Sequence, residues 1–182
     1  MPDALHFTGD PAADALIARD PLALLIGFAL DQQVSVPTAF AGPLKLERRL
    51  GRIDAHEIAA LDPERLEQVF REKPAVHRFP GSMARRVQEL CAFVAERYGG
   101  DAAAVWTQAA DAGDLRRRIQ ELPGFGEMKV KALGSVLAKR FGVAAAEGLV
   151  PDHKTLGDVD SPQALEAYQA EKRAYKAALR SS

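Results

Sequence analysis

One stretch constrains the fold more than any other: residues 114–141, DLRRRIQELPGFGEMKVKALGSVLAKRF. Leu115, Ile119 and Leu122 recur at helical spacing in its first half, and Val130, Leu133, Val136, Leu137 and Phe141 do so in its second. Pro123 cannot continue a helix, because it lacks an N–H and its ring collides with the preceding turn; Gly124 can take the positive φ that ends one. The stretch therefore reads as two short helices joined by the tight turn Leu122-Pro123-Gly124-Phe125-Gly126. Gly126 leaves backbone N–H groups uncovered at the start of the second helix. A bare helix N-terminus is an anion site, and phosphate suits it.

Charge points the same way. Residues 115–140 hold seven bases (Arg116, Arg117, Arg118, Lys129, Lys131, Lys139 and Arg140) against Glu121 and Glu127, a local charge of +5 on a chain whose net charge is −1. A locally basic element on a near-neutral chain predicts one DNA-facing surface rather than a general polycation. The plainer alternative is a glycine-capped helical hairpin with a solvated basic face. Lysines three and five residues beyond Gly126, between amphipathic helices, favour phosphate binding. The expected contacts are Leu122, Gly124, Phe125, Gly126, Lys129 and Lys131.

The rest of the chain reads as helix. Asp20-Pro21 is a cap followed by a proline at the first helical position. The LALLIGFAL that follows is apolar on nearly every side, which predicts a buried, central helix. It ends at Asp31-Gln32-Gln33, two amides where the chain returns to the surface. Further helices are expected over 35–50, 54–61 and from Asp62-Pro63 onward. The loop KPAVHRFPGS, with Phe79, precedes a long helix capped by Ser82 and ended by Gly99-Gly100. Arg85 and Arg86 fall in that helix's first turn, where the dipole disfavours cations, a hint that they face an anion. A helix over 101–110 carries Trp106, residues 142–160 read as a small, polar connection, and a last helix covers about 161–180. No window shows strand alternation. The expectation is an all-α fold of eight or nine helices in a single domain, 1–182.

Other features narrow the function classes. The longest apolar run, residues 22–30, is too short to span a bilayer, so no membrane association is expected. The opening MPDALHFTGD has no apolar core of a signal peptide, and the cytoplasm, at the nucleoid, is the expected compartment. A lone cysteine, Cys91, cannot build an intrachain disulfide framework, an all-cysteine zinc site or a four-cysteine iron–sulfur cluster. Asp152, His153 and Asp158 are too sparse for a metal site, so no metal or cofactor is expected, and a monomer is.

Four stretches carry a resemblance. LLIGFALDQQVSV (24–36) resembles the buried helix and QQ turn of 3-methyladenine-type DNA glycosylases, and PGSMARRVQELCAFVAERY (80–98) a long helix of the same proteins. ELPGFGEMKVKALGSVLA (121–138) is similar to their helix-hairpin-helix, and LVPD (149–152) to the stretch that supplies their catalytic aspartate. Residues 20–155 thus resemble the helix-hairpin-helix (HhH-GPD) DNA glycosylase superfamily, nearest to the 3-methyladenine DNA glycosylase II type, in a short form without an iron–sulfur cluster. The resemblance implies a two-lobed helical fold that grips double-stranded DNA through the hairpin. It further implies that a damaged base is flipped into the interlobe cleft and its N-glycosidic bond cleaved.

Extrusion leaves a gap in the duplex that a side chain must fill; Gln32, Gln33 and Phe79 are the candidates. The resemblance makes Asp152 the catalytic carboxylate, which would stabilise a cationic sugar and orient or deprotonate water. Asp152 lies 26 residues after Gly126, beyond the family's usual spacing, so Asp158 competes for the role. Where strand-cleaving relatives carry their Schiff-base lysine this chain has Met128, with Lys129 one residue late, which implies base removal without strand cleavage. One helix follows the aspartate where the family has several, which implies a more open cleft. A glycosylase-like DNA-binding or damage-sensing protein without turnover is the other reading. Whether Asp152 or Asp158 faces the cleft separates the two.

Overall fold

Three helices begin at an aspartate followed by proline. In the computed structural model, which describes residues 2–181, these are α1 (Pro11–Arg19), α2 (Pro21–Leu30) and α5 (Pro63–Arg71), and each capping carboxylate accepts a first-turn N–H. Ser35 caps α3 (Val36–Leu50) and Asp54 caps α4 (Ala55–Ala60) in the same way. The long helix α6 (Pro80–Tyr98) starts three residues earlier than expected, at the proline, and no side chain caps it; Ser82 lies inside the helix. Trp106 sits in a single turn, α7 (Ala104–Thr107), rather than in a ten-residue helix. α8 (Ala112–Glu121), α9 (Glu127–Phe141) and α10 (Pro162–Arg180) complete an all-helical fold with no strand among the described residues.

α2 is buried at every position except its first, as its uniform apolarity requires. It packs against α1, α3 and α6. The rings of Phe7 and Phe28 meet Phe40 edge-on, each with centroids 5.0 Å away. α4 and α5 close this group of helices against α6. A second group is built on α9. The small, polar connection expected over 142–160 instead folds into two 3-10 turns, Ala144–Leu149 and Leu156–Asp158, both packed on α9. They bring Ala146, Leu149, Leu156 and Val159 into an apolar core continuous with that of the first group. Helix α10 is tied down by Leu165, and from residue 170 onward it is exposed on all sides.

The segment before α1 also belongs to the core. Leu5 and Phe7 are buried, held by the buried carboxylate of Asp14. One Asp14 oxygen accepts from the Phe7 N–H (3.2 Å), the Thr8 N–H (2.9 Å) and the Thr8 hydroxyl (2.7 Å). Removing it orphans these donors, at a cost of about 1–3 kcal/mol. Asp14→Ala is therefore expected to lower the urea midpoint by that amount of stability, with the m-value unchanged.

No described helix is long and apolar enough to cross a membrane. Among the described residues no group of three His, Cys, Asp or Glu side chains is placed to hold a metal ion. Cys91 is buried, and burial pushes its thiol up to about 12.

Candidate DNA interface and cleft

The hairpin forms where the sequence places it, but its side chains divide differently. α8 stops at Leu122, and the Phe125 N–H donates to the Leu122 carbonyl at 3.0 Å to close the turn. Leu122 and Phe125, expected at the DNA, are core residues, 1% and 4% exposed. Their apolar side chains anchor the turn from beneath, which leaves only backbone for a ligand. Gly124 has φ of 81°, the left-handed conformation that ends the first helix without strain. Gly126 is the N-cap of α9 and supplies no side-chain cap, so the first-turn N–H groups stay open to an anion.

Much of the basic charge of the hairpin is spent within the protein. Arg116 bonds Glu127 at 2.5 Å, Arg117 bonds Asp114 and Glu121, Arg118 bonds Asp114 at 3.0 Å, and Lys139 bonds Asp158 at 2.5 Å. The Ala110 N–H together with Arg117 and Arg118 holds the Asp114 carboxyl down to about 2. The local +5 of the sequence therefore overstates the positive field that DNA meets. What compensates is Arg86 of α6, which the sequence only hinted at. Its guanidinium lies over Gly124, where a Cβ would come within 2.2 Å of Nη1, and among the described residues it makes no ion pair. Lys131, half-buried next to Glu127, remains beside the same face.

Behind the hairpin lies a cleft of about 1030 Å³, walled by the end of α2, the start of α9 and one side of α10, with Arg78 at its edge. The Gln32-Gln33 turn lines it together with Gly126 and Lys129. Gln32 donates from Nε2 to the Ala29 carbonyl at 2.9 Å, capping α2 instead of reaching outward. Gln33 is exposed and has φ of 59°, the one positive φ on a non-glycine residue among those described. Such strain, at a tip no neighbour covers, suits a residue that acts on a ligand. His77 fixes the geometry of this rim. Its Nδ1 accepts from the Phe79 N–H at 2.9 Å, so its Nε2 carries the proton and faces the Leu30 and Gln32 carbonyls, both at 3.1 Å. That clip sets Phe79, 40% exposed with its ring 5.3 Å from the Arg78 guanidinium, beside the glutamine turn.

The profile of the HhH-GPD superfamily of base excision DNA repair proteins matches residues 26–174, from within α2 to well into α10. The chain belongs to that superfamily. No curated protein and no solved structure matches it.

In this HhH-GPD chain the carboxylates are not arranged as the sequence resemblance implied. Asp152 is exposed in a turn, and Asp158 is drawn into the 3-10 turn that follows; neither lines the cleft. Asp158 accepts from Lys139 Nζ and from the Thr155 N–H at 2.9 Å. Burial opposes its ionisation, but those bonds outweigh it and hold the carboxyl below its usual range. A carboxylate so engaged is a weak base. Of this connection it is Leu156, between the two aspartates, that reaches the cleft wall, while the Asp158 carboxylate is turned to Lys139 and to the Thr155 N–H.

Lys129, expected at phosphate, turns its ammonium into the cleft and donates to the Phe28 carbonyl at 2.8 Å and the Asp31 carbonyl at 3.4 Å. There it caps the negative end of the α2 dipole. Burial pushes it below the ordinary lysine range, with Asp31 pulling the other way. Its neighbour Met128 is 86% exposed at the mouth of the cleft. Two carboxylates do line the cleft, Asp31 and Glu127.

Proposed function

We propose that this superfamily member is a monofunctional DNA glycosylase, which hydrolyses the N-glycosidic bond of a damaged base flipped out of duplex DNA. The observation that carries the reading is that the bare N-terminus of α9 and the strained glutamine turn open onto one cleft. A protein that must hold phosphates and receive a base from the same duplex needs these two features side by side. The cleft volume of about 1030 Å³ lies at the upper limit of pockets that enclose small organic ligands, which leaves room for a nucleotide. Met128 at the Schiff-base position supports hydrolysis without strand cleavage, as does the engagement of Lys129 with two carbonyls.

The test is a panel of duplexes bearing uracil, hypoxanthine or an alkylated purine, incubated with the purified protein and then treated to cleave abasic sites. At least one lesion is expected to be released, with strand breaks only after the treatment. Breaks without it, trapped by borohydride on Lys129, would overturn the monofunctional part. Gln33→Ala is expected to weaken lesion-bearing duplex about three- to tenfold more than intact duplex, because a gap exists only when a base is out. Equal losses on both would reduce the turn to a helix end.

The second reading, a damage-binding protein without turnover, is favoured by one observation: neither Asp152 nor Asp158 lines the cleft. Tight lesion binding with no release from any duplex would establish it.

A further inference from the structure

We propose that Asp31, at the C-terminal end of α2, is the carboxylate that stabilises the sugar cation and accepts the proton of the attacking water. The inference rests on the glycosylase reading. The cleft offers two carboxylates, and Glu127 is occupied: both its oxygens accept from Arg116 Nη1, at 2.6 and 2.5 Å, and Gln120 Nε2 adds a third bond at 3.3 Å. Among the described residues the carboxylate of Asp31 accepts no hydrogen bond. It sits one residue before the glutamine turn and faces the start of α9, so the gap-filling, phosphate-binding and acidic elements meet at one point.

Its surroundings suit a cation. The last carbonyls of α2 form the negative end of a helix, and the structure already places one cation, the Lys129 ammonium, against them. A sugar that loses its base becomes such a cation. In the step we envisage, the bond from C1′ to the base nitrogen breaks and its electron pair leaves with the base. Water oxygen bonds to C1′, the water proton passes to the Asp31 carboxylate and on to solvent, and the departing base takes a proton from solvent. One water is consumed and no other reactant is needed.

The charges facing Asp31 come from two helices: Lys129 from α9, and Lys172 and Lys176 from α10, with the Tyr168 hydroxyl on α10 alongside. His77 bonds the neighbouring Gln32 carbonyl. Burial lifts the Asp31 carboxyl above its usual range, against the pull of the three lysines. A base with a raised pKa is the better proton acceptor. The same burial makes the ionised form a strain on the fold, present above the unfolded-state pKa of about 3.9 and complete above the folded one.

The experiment compares single-turnover release by the parent, Asp31→Asn and Asp152→Asn on a lesion the parent excises. Asp31→Asn is expected to slow release by about a hundredfold or more, as losing the main electrostatic stabiliser does. Its affinity for the same duplex should stay within a few-fold. The parent rate should rise with pH through a midpoint above the ordinary aspartate value, and that limb should vanish in Asp31→Asn. Its melting temperature should hold or rise at neutral pH, which a merely structural helix-end residue would not show. Release by Asp31→Asn within threefold of the parent overturns the inference and leaves the glycosylase reading standing; a large loss confined to Asp152→Asn does the same. A parent that releases no lesion overturns both.

Discussion

Gly126→Val is expected to lower affinity for duplex DNA about ten- to a hundredfold, the loss of one or two charge-assisted N–H bonds to phosphate. The substitution suits the question because the fold tolerates it. Gly126 has φ of −97° and ψ of −168°, an extended conformation open to any residue, and a Cβ there meets nothing within 4 Å. A β-branched N-cap costs the helix no more than about 1 kcal/mol. What the valine methyls cover are the N–H groups of the α9 first turn. Intact and lesion-bearing duplexes should lose equally, since phosphate contacts carry no sequence information. Arg86→Ala, at the same turn, should weaken both as well and reduce the slope of log affinity against log salt by about one. Fluorescence anisotropy at matched salt decides it: unchanged affinity in Gly126→Val would remove the hairpin from the interface.

The second large effect concerns stability. Gly157 packs so closely on α9 that an added Cβ would lie 2.6 Å from the backbone carbon and oxygen of Ser135. Backbone cannot rotate away as a side-chain end can, so the 3-10 turn Leu156–Asp158 would have to lift. Gly157→Val is expected to cost about 3 kcal/mol, the upper part of the range for overpacking. For a chain of this size that lowers the melting temperature by roughly 6–12 °C. The damage should reach function, because Leu156 lines the cleft beside Tyr168. A scanning-calorimetry midpoint within 2 °C of the parent would show that the turn is not clamped as described.

Much of the fold is legible in the residues because it rests on local rules. Aspartate or serine before a helix and proline at its first position act over four residues, and they set most of the helix starts, while glycine ends α3, α6 and α9. The uniform apolarity of α2 is enough to make it central. Where the local signals conflict, the reading slips. Ser82 looks like a cap, but Pro80 suits the first helical position better, and α6 starts there. The 142–160 connection looks polar, yet Leu149, Leu156 and Val159 find an apolar surface on α9 that no local pattern announces.

The site divides along the same line. The hairpin turn, the open N–H groups of α9 and the glutamine turn each follow from a few adjacent residues and their backbone. Where the charges go is set by the packing of distant helices. Leu122 and Phe125 sink into the core, Arg116, Arg117 and Arg118 turn to acids, and Lys129 swings to the end of α2. Arg86 arrives over Gly124 from a helix 38 residues away in sequence. The acids that line the cleft are Asp31 and Glu127, and Asp152 is not among them, because an electrostatic role depends on distance and burial. Those depend on how α2, α9 and α10 pack, and no spacing along the chain encodes them directly.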